Sequence, residues 1–217
     1  ISYAVTSNGA AIYNKKTGER IHGVAIEYAD LHSILDAFAH YFHNGQITYE
    51  AFVDGVAYGG REYVEHPEAF GVPERNVAYV QSTRKPVDDI IAFLSEHEEE
   101  LDSLDIVAAD TALYQKIEEQ IPLVTKSVYT TSAVSYRLEI SHKNSGKATG
   151  LAYVLKLLDI TPEETVAFGD GDNDAEMLEF AGLGVAMENA TENCKAAADI
   201  VCDCCKNDGV ARFLYGF

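Results

Sequence analysis

The chain has 217 residues, with 16 Lys and Arg against 35 Asp and Glu, a formal charge of −19 and a pI of about 4.6. That length suffices for one large domain or two small ones, and the 47% hydrophobic and 24% charged shares are those of a globular chain rather than a disordered one. The charge argues against a nucleic-acid or anionic-membrane binder, since both need a basic face; an anionic substrate would have to be met by a metal or a few placed cations.

The opening "ISYAVTS" begins at Ile1 and reads like the interior of a domain. "YAVTSNGAAIYN" predicts a short strand, a polar loop at Thr6–Gly9 and a second apolar run, and "GERIHGVAIE" another strand. In "YADLHSILDAFAHYFHNG" the apolar positions Leu31, Ile34, Leu35, Phe38 and Phe42 follow the 3.6-residue period of an amphipathic helix, with Asn44-Gly45 as its stop. "ITYEAFVDGVAYGG" predicts a hairpin about Asp54-Gly55, because Asp-Gly tolerates the positive φ of a tight turn. A helix entered at a proline is expected over "PVDDIIAFLSEHEEELDSL", strands over "LDIVAAD", "LVTKSVYTT" and "VSYRLEISH", and a helix around Thr111 to Gln120.

From Gly146 the rhythm changes. "SGKATGLAYVLKLLDI" predicts a helix, "ETVAFGD" a strand, "NDAEMLEFAG" a helix, "LGVAM" a strand, "ATENCKAAAD" a helix and "IVCD" a short strand. Strand and helix alternating at these lengths is the pattern of a parallel sheet with crossover helices. The middle of the chain, with antiparallel-looking strands, reads as a separate α+β unit. Cys194, Cys202, Cys204 and Cys205 lack a zinc-ribbon spacing and are expected to be reduced structural thiols. No stretch approaches the roughly 20 apolar residues of a membrane span, no basic-then-apolar leader opens the sequence, and a cytoplasmic location is the expectation.

The densest chemistry is "VAFGDGDNDAEML", residues 166–178. Ligands of open parallel sheets bind beyond the carboxyl ends of the strands, which is where Asp170 falls, while Asp172, Asn173 and Asp174 line the turn into the next helix. All-oxygen ligands on a tight glycine-containing turn suit Mg²⁺, which takes one or two protein carboxylates and keeps several waters. Helix capping by Asp172–Asp174 is a second reading of the same run. A calcium loop is a third, weakened by the missing distant glutamate and central glycine of an EF-hand.

"FGDGDNDAEMLEFAGLGVAMENA" closely resembles the fourth motif of the haloacid dehalogenase superfamily, specifically its Cof-type (IIB) sugar-phosphatase-like branch. "TSNGAAIY" resembles that branch's loop after the third core strand, "SGKATGLAYVL" its lysine motif and "CCKNDGVARFL" its C-terminal turn and helix. They occur in family order and span essentially the whole chain. The resemblance implies an α/β fold: a partial doubly wound, Rossmann-like core in residues 1–23 and 141–217, with an α+β cap inserted at 24–140. It implies Asp170 as a Mg²⁺ ligand, Asp174 supporting the metal shell, and Asn173 helping to hold the site. Lys147 would set its ammonium against phosphoryl oxygens, and Asn8 either contacts substrate or serves its turn. The implied activity is Mg²⁺-dependent hydrolysis of a small phosphorylated metabolite such as a sugar phosphate.

The family's reaction also uses a nucleophilic aspartate in a D-x-D-G-T/S setting and forms an aspartyl-phosphate. No segment here fits it, so the chain is expected to be a fragment, inactive by itself, whose core is completed by an upstream segment or by self-association. A non-catalytic ligand-binding or assembly module, and a phosphomutase, are the competing readings. Arg61, Arg84, Lys85 and Arg137 are cations available to the cap, each more commonly a surface residue. His22, His43, His66 and His142 show no paired spacing that suggests zinc.

Overall fold

The computed structural model describes residues 1–216, which divide into two compact units, Ile1–Ser145 and Gly146 onward. The division falls just before the lysine motif, so residues 1–23 belong to the larger unit by their contacts.

The larger unit begins with β1 (Tyr3–Thr6), β2 (Ala11–Asn14) and β3 (Arg20–Gly23), an antiparallel sheet in that order. The turn joining β1 to β2 holds three successive residues at positive φ: Ser7 at 48°, Asn8 at 49° and Gly9 at 93°. Glycine takes that conformation freely and asparagine tolerates it, whereas for serine it costs about 1 kcal/mol.

The rest of the unit is α1 (Tyr28–His43), β4 (Ile47–Val53), β5 (Val56–Gly60), α2 (Arg61–Glu65), α3 (Glu74–Thr83), β6 (Arg84–Val87), α4 (Ile90–Glu96), β7 (Leu101–Ala108), α5 (Thr111–Val124), β8 (Val128–Val134) and β9 (Arg137–His142). Its strands form one six-stranded sheet in the order β6-β5-β4-β7-β9-β8. The Asp54-Gly55 turn closes the β4–β5 hairpin as expected, with φ of 48° and 74°.

Because strand side chains alternate between faces, the sheet has two chemically distinct sides. One presents Tyr49, Ala51, Leu104, Ile106, Leu138 and Ile140, which join Leu31, Ile34 and Phe38 of α1, Leu94 of α4 and Ile117 of α5 in the main core. The α1 stripe buries Tyr41 as well as the expected positions, while Phe42 is only partly buried. The other side carries charged residues on β4, β7 and β9, and Val107 there packs with Tyr63 and Val64 of α2 and Val80 of α3.

Two expectations need correction here. The helix expected from Pro86 starts at Ile90, because Pro86 and Val87 pair with Gly59 and Gly60 as strand β6. Asp89 caps it, its side chain accepting from the backbone N–H groups of Ile91 and Ala92. Its expected C-terminal end, Leu101–Leu104, is instead the start of β7, which is buried along its length and bonded on both sides by β4 and β9. Tertiary pairing overrides local helix preference in that acidic stretch. The short helices α2 and α3 were not anticipated from the pattern.

The second unit comprises α6 (Lys147–Leu158), β10 (Val166–Gly169), α7 (Ala175–Phe180), β11 (Leu183–Met187), α8 (Glu192–Ala196), β12 (Ile200–Cys202) and α9 (Gly209–Tyr215). As the alternation predicts, β10, β11 and β12 form a parallel sheet in sequence order, with Gly169 opposite Ala186 and Met187 opposite Cys202. Its core holds Ala167, Leu178, Val185, Ala186, Cys194 and Cys202, and all four cysteines are free thiols. Among the described residues no helix is long and apolar enough to cross a membrane.

Candidate active site

The acidic loop leaves the carboxyl end of β10 and passes through a 3-10 turn, Asp172–Asp174, into α7. Within it the carboxylates have different environments. Asp174 is buried, at 4% exposure. Its Oδ2 accepts from the backbone N–H groups of Asp170 and Gly171, both at 2.9 Å, and its Oδ1 accepts from Lys147 Nζ at 2.5 Å. Burial alone would raise the Asp174 carboxyl pKa, but the Lys147 hydrogen bond and the two amides outweigh it and hold the group below its ordinary value. Its side chain makes no N-cap bond to α7 itself, but the bond from Gly171 N–H is the capping-box contact of the 3-10 turn that leads into that helix, so the capping reading holds in part.

The tightness of that loop explains Gly169. A Cβ there would lie 2.4 Å from Asp174 Cβ, so only glycine lets the strand end approach the carboxylate this closely. Lys147 opens α6, so one ammonium links the first residue of that helix to the turn after β10.

Asp170 and Asp172 are exposed. Asp170 Oδ2 has a long 3.4 Å contact from Asn189 Nδ2, and its backbone carbonyl accepts from Thr191 N–H. Asp172 Oδ1 accepts from Thr191 Oγ1 at 2.5 Å, which fixes it to the residue capping α8. Asn173 sits half-buried in the turn, its Oδ1 just 2.7 Å from where a Cβ on Gly171 would stand. Asp170, Asp172 and Asp174 therefore do not converge as three open ligands. Glu188, Asp203 and Cys204 do lie close together, but the oxygens of Asp203 already accept from Cys204 N–H, Asn207 Nδ2 and Arg212.

Asn8 belongs to the larger unit, on the positive-φ turn, and donates from Nδ2 to Glu139 Oε2 at 2.7 Å. Glu139 is the end of a row. Glu50 on β4 is the register partner of Asp105 on β7, and Asp105 that of Glu139 on β9. Three carboxylates thus stand side by side on the polar face.

Two guanidinium groups balance them. Arg84 grips Glu50 with both edges, Nε to Oε1 at 3.0 Å and Nη2 to Oε2 at 2.9 Å, and the Tyr63 hydroxyl donates to the same carboxylate. Arg137 donates from Nη2 to Glu139 at 2.9 Å and reaches Asp105 from Nε at 3.3 Å and Glu50 from Nη1 at 3.7 Å. Burial pushes the Asp105 carboxyl well above the usual carboxylate range, against the pull of Arg137. Thr6, Asn8, Phe52, Tyr79, Arg137 and Glu139 help line a cavity of about 300 Å³ over this row.

Of the four cap cations read from the sequence, Arg84 is buried and Arg137 half-buried here, whereas Arg61 is exposed against Asp88 and Lys85 lies exposed over the Tyr58 ring. Glu50, Asp105 and Glu139 were missed. The available signal was an acid at an alternate position inside each of "ITYEAFV", "LDIVA" and "RLEIS", on the phase opposite the apolar residues.

A parallel α/β unit with an acidic strand-end loop bonded to a lysine defines the class, and comparison with known proteins names the family. Residues 1–214 match the haloacid dehalogenase-like hydrolases, and the chain belongs to that family. It is 29% identical over 236 aligned residues to phosphatase YwpJ of Bacillus subtilis strain 168, covering 98% of this chain and 78% of that protein. It is 50% identical over 80 residues to the phosphoglycolate phosphatase of Methanopyrus kandleri, a match covering 37% of this chain and only 34% of that protein's length. The crystallographic fold of the subclass IIB sugar phosphatase BT4131 superposes with a TM-score of 0.73 at 20% identity, covering 100% of this chain and 76% of that one.

Proposed function

We propose that the acidic loop serves a Mg²⁺-dependent phosphomonoester hydrolase acting on a small phosphorylated metabolite, a sugar phosphate in the first instance. The observation that carries this reading is the Lys147–Asp174 bond at the carboxyl end of β10. It ties an ammonium to the same turn that carries an exposed carboxylate, Asp170. A phosphoryl group needs that pairing: a cation for its oxygens and a ligand for the metal that shares them.

The donor set fits a hydrated hard cation. Asp170 offers an exposed carboxylate with one long contact, while both oxygens of Asp174 are engaged, so Asp174 acts by holding the loop and Lys147 rather than as an open ligand. Bound Mg²⁺ would supply charge neutralisation of the phosphoryl oxygens. Asp170 would hold it, and Asn173 would brace the turn. Lys147, fixed by Asp174, would point its remaining N–H donors at the phosphoryl group. The small metabolite is the proposed partner, with no nucleic acid or membrane involved, in a cytoplasmic setting. The proposed arrangement of the chain is a catalytic core in residues 1–23 and 141–217 and a cap in residues 24–140.

The nucleophilic aspartate of the proposed reaction is not among these 217 residues, and by themselves they are proposed to release no phosphate. The test compares phosphate release from sugar phosphates by the 217-residue chain and by the product of the whole reading frame. The expected result is Mg²⁺-dependent release by the latter alone, abolished by chelation and by Asp170→Asn. Wild-type rates in Asp170→Asn would overturn the assignment of the loop. Release of an isomerised sugar phosphate in place of free phosphate would make the protein a mutase, and ligand binding without turnover would make it a binding module.

A further inference from the structure

A second cavity, of about 610 Å³, opens at the start of β4, among the end of α1, α2 and the turn from β6 into α4. That volume lies well inside the range of small-molecule pockets. Thr48 lines it, whereas Phe52, which lines the cavity over the charged row, stands four residues further along the strand, about 13 Å away. None of the three carboxylates of that row lines this space, and the Tyr63 hydroxyl on its wall is already given to Glu50.

One buried group of the lining has nothing to bond. Thr48 is 4% exposed, and its hydroxyl has no hydrogen-bond partner among the described residues. A buried hydroxyl left in that state is costly, and a ligand in the cavity would satisfy it. Beside it stands hydrocarbon surface, with Ile47 and Ile90 buried and Phe42 and Phe70 half-buried. The rim is acidic. Glu62, Glu65, Asp88 and Asp89 surround one guanidinium, Arg61, whose Nε and Nη2 both go to Asp88 Oδ1 at 2.9 and 2.7 Å and whose Nη1 lies 3.7 Å from Glu65. Asp89 caps α4, and Glu62 has no cationic partner among the described residues. His66, the other basic group of the lining, lies 3.5 Å from Glu68.

We infer that this cavity binds a small organic ammonium ion. Its hydrocarbon body packs on Phe42, Phe70, Ile47 and Ile90, and its N–H groups donate to Thr48 Oγ1 in the field of the surrounding carboxylates, unpaired Glu62 foremost. The charge balance selects that class: an anion would meet an excess of carboxylates, and the guanidinium is already committed to Asp88. A bare metal ion needs converging oxygens. Among the described residues no three of these acids and the imidazole bring their ligand atoms together, so the negative charge is spread out, as suits an organic cation with a body of its own. The phenylalanine rings add attraction for a cation through their faces.

This site goes beyond the hydrolase reading and stands or falls without it, so its test is binding rather than turnover. The product of the whole reading frame is titrated by calorimetry with phenethylamine, and with phenethyl alcohol and phenylpropionate, which keep the ring and exchange the ammonium for a hydroxyl or a carboxylate. The expected result is saturable binding of the amine, about tenfold or more tighter than the alcohol, with none of the acid, and weakening as salt is added. Glu62→Gln changes an exposed, unpaired group and should weaken the amine about threefold at unchanged melting temperature. Thr48→Val should weaken it about tenfold, the worth of a hydrogen bond to a charged group. The same variant should leave the unliganded protein at least as stable as wild type, because the hydroxyl it removes bonds nothing there. No saturable binding of the amine, equal affinity for the alcohol or the acid, wild-type affinity in either folded variant, or a destabilised Thr48→Val would each overturn the inference.

Discussion

Replacing Arg84 by methionine isolates the energetics of the polar face. The side chains of Arg84 and Glu50 are 3% and 0% exposed, and the two bonds between them are 3.0 and 2.9 Å. Methionine keeps much of the aliphatic stem but leaves Glu50 with the Tyr63 hydroxyl and the more distant Arg137 Nη1 at 3.7 Å. Stranding a buried charge costs about 3–5 kcal/mol, and the remaining partners place this case near 3. That is a large part of the roughly 5–15 kcal/mol that holds a domain together. Urea unfolding followed by circular dichroism should show it: with a slope of about 2 kcal/mol per molar, the midpoint falls by roughly 1.5 M at unchanged slope. The double change Arg84→Met, Glu50→Gln removes the charge along with its partner and should recover about half of the loss or more. A single-variant cost below about 1 kcal/mol, or a double variant as unstable as the single, would refute the reasoning.

The other expectations concern the acidic loop and a buried aspartate. Asp174→Asn keeps one oxygen for the loop amides but turns an N–H toward Lys147, and should cost about 2–3 kcal/mol by thermal unfolding. Lys147→Met made in the same chain should then add little, and full additivity would mean that the two do not interact. In Gly169→Ala the new Cβ meets Asp174 Cβ at 2.4 Å, so a loss of about 2–3 kcal/mol is expected, and an unchanged melting temperature would contradict the packing. Asp102 is fully buried, and burial, outweighing its Arg20 partner, raises its pKa to about 6. Folding therefore favours the protonated form. Its contribution is fully present below about pH 4 and is lost as pH rises through 6, about 3 kcal/mol for two pKa units. Stability curves of wild type and Asp102→Asn should converge or cross toward alkaline pH, and parallel curves between pH 4 and 8 would be inconsistent with the shift.

What could be read directly from the chain was local. The 3.6-residue stripe of α1, the Asp54-Gly55 turn and the alternation after Gly146 each lie within a few residues, where backbone sterics and side-chain periodicity act without outside help. The acidic run was visible for the same reason, together with the lysine motif ahead of it. The resemblance set Asp170 apart as the metal ligand and Asp174 as its support, but it did not show the contacts by which the chain separates them. The fold saturates Asp174 with two amides and Lys147 and leaves Asp170 exposed, because the loop curls back over Gly169.

The charged row was further out of reach. Glu50, Asp105 and Glu139 come from strands far apart in the chain and become neighbours only through the pairing of β4 with β7 and of β7 with β9. The same pairing drew Leu101–Leu104 out of the helix that its acidic surroundings suggested. Contiguous residues thus carried the turn, the acidic loop and the motifs whose resemblance pointed to the family. Strand register alone decided which acids meet, since hydrogen-bond pairing between distant segments leaves no trace in either segment by itself.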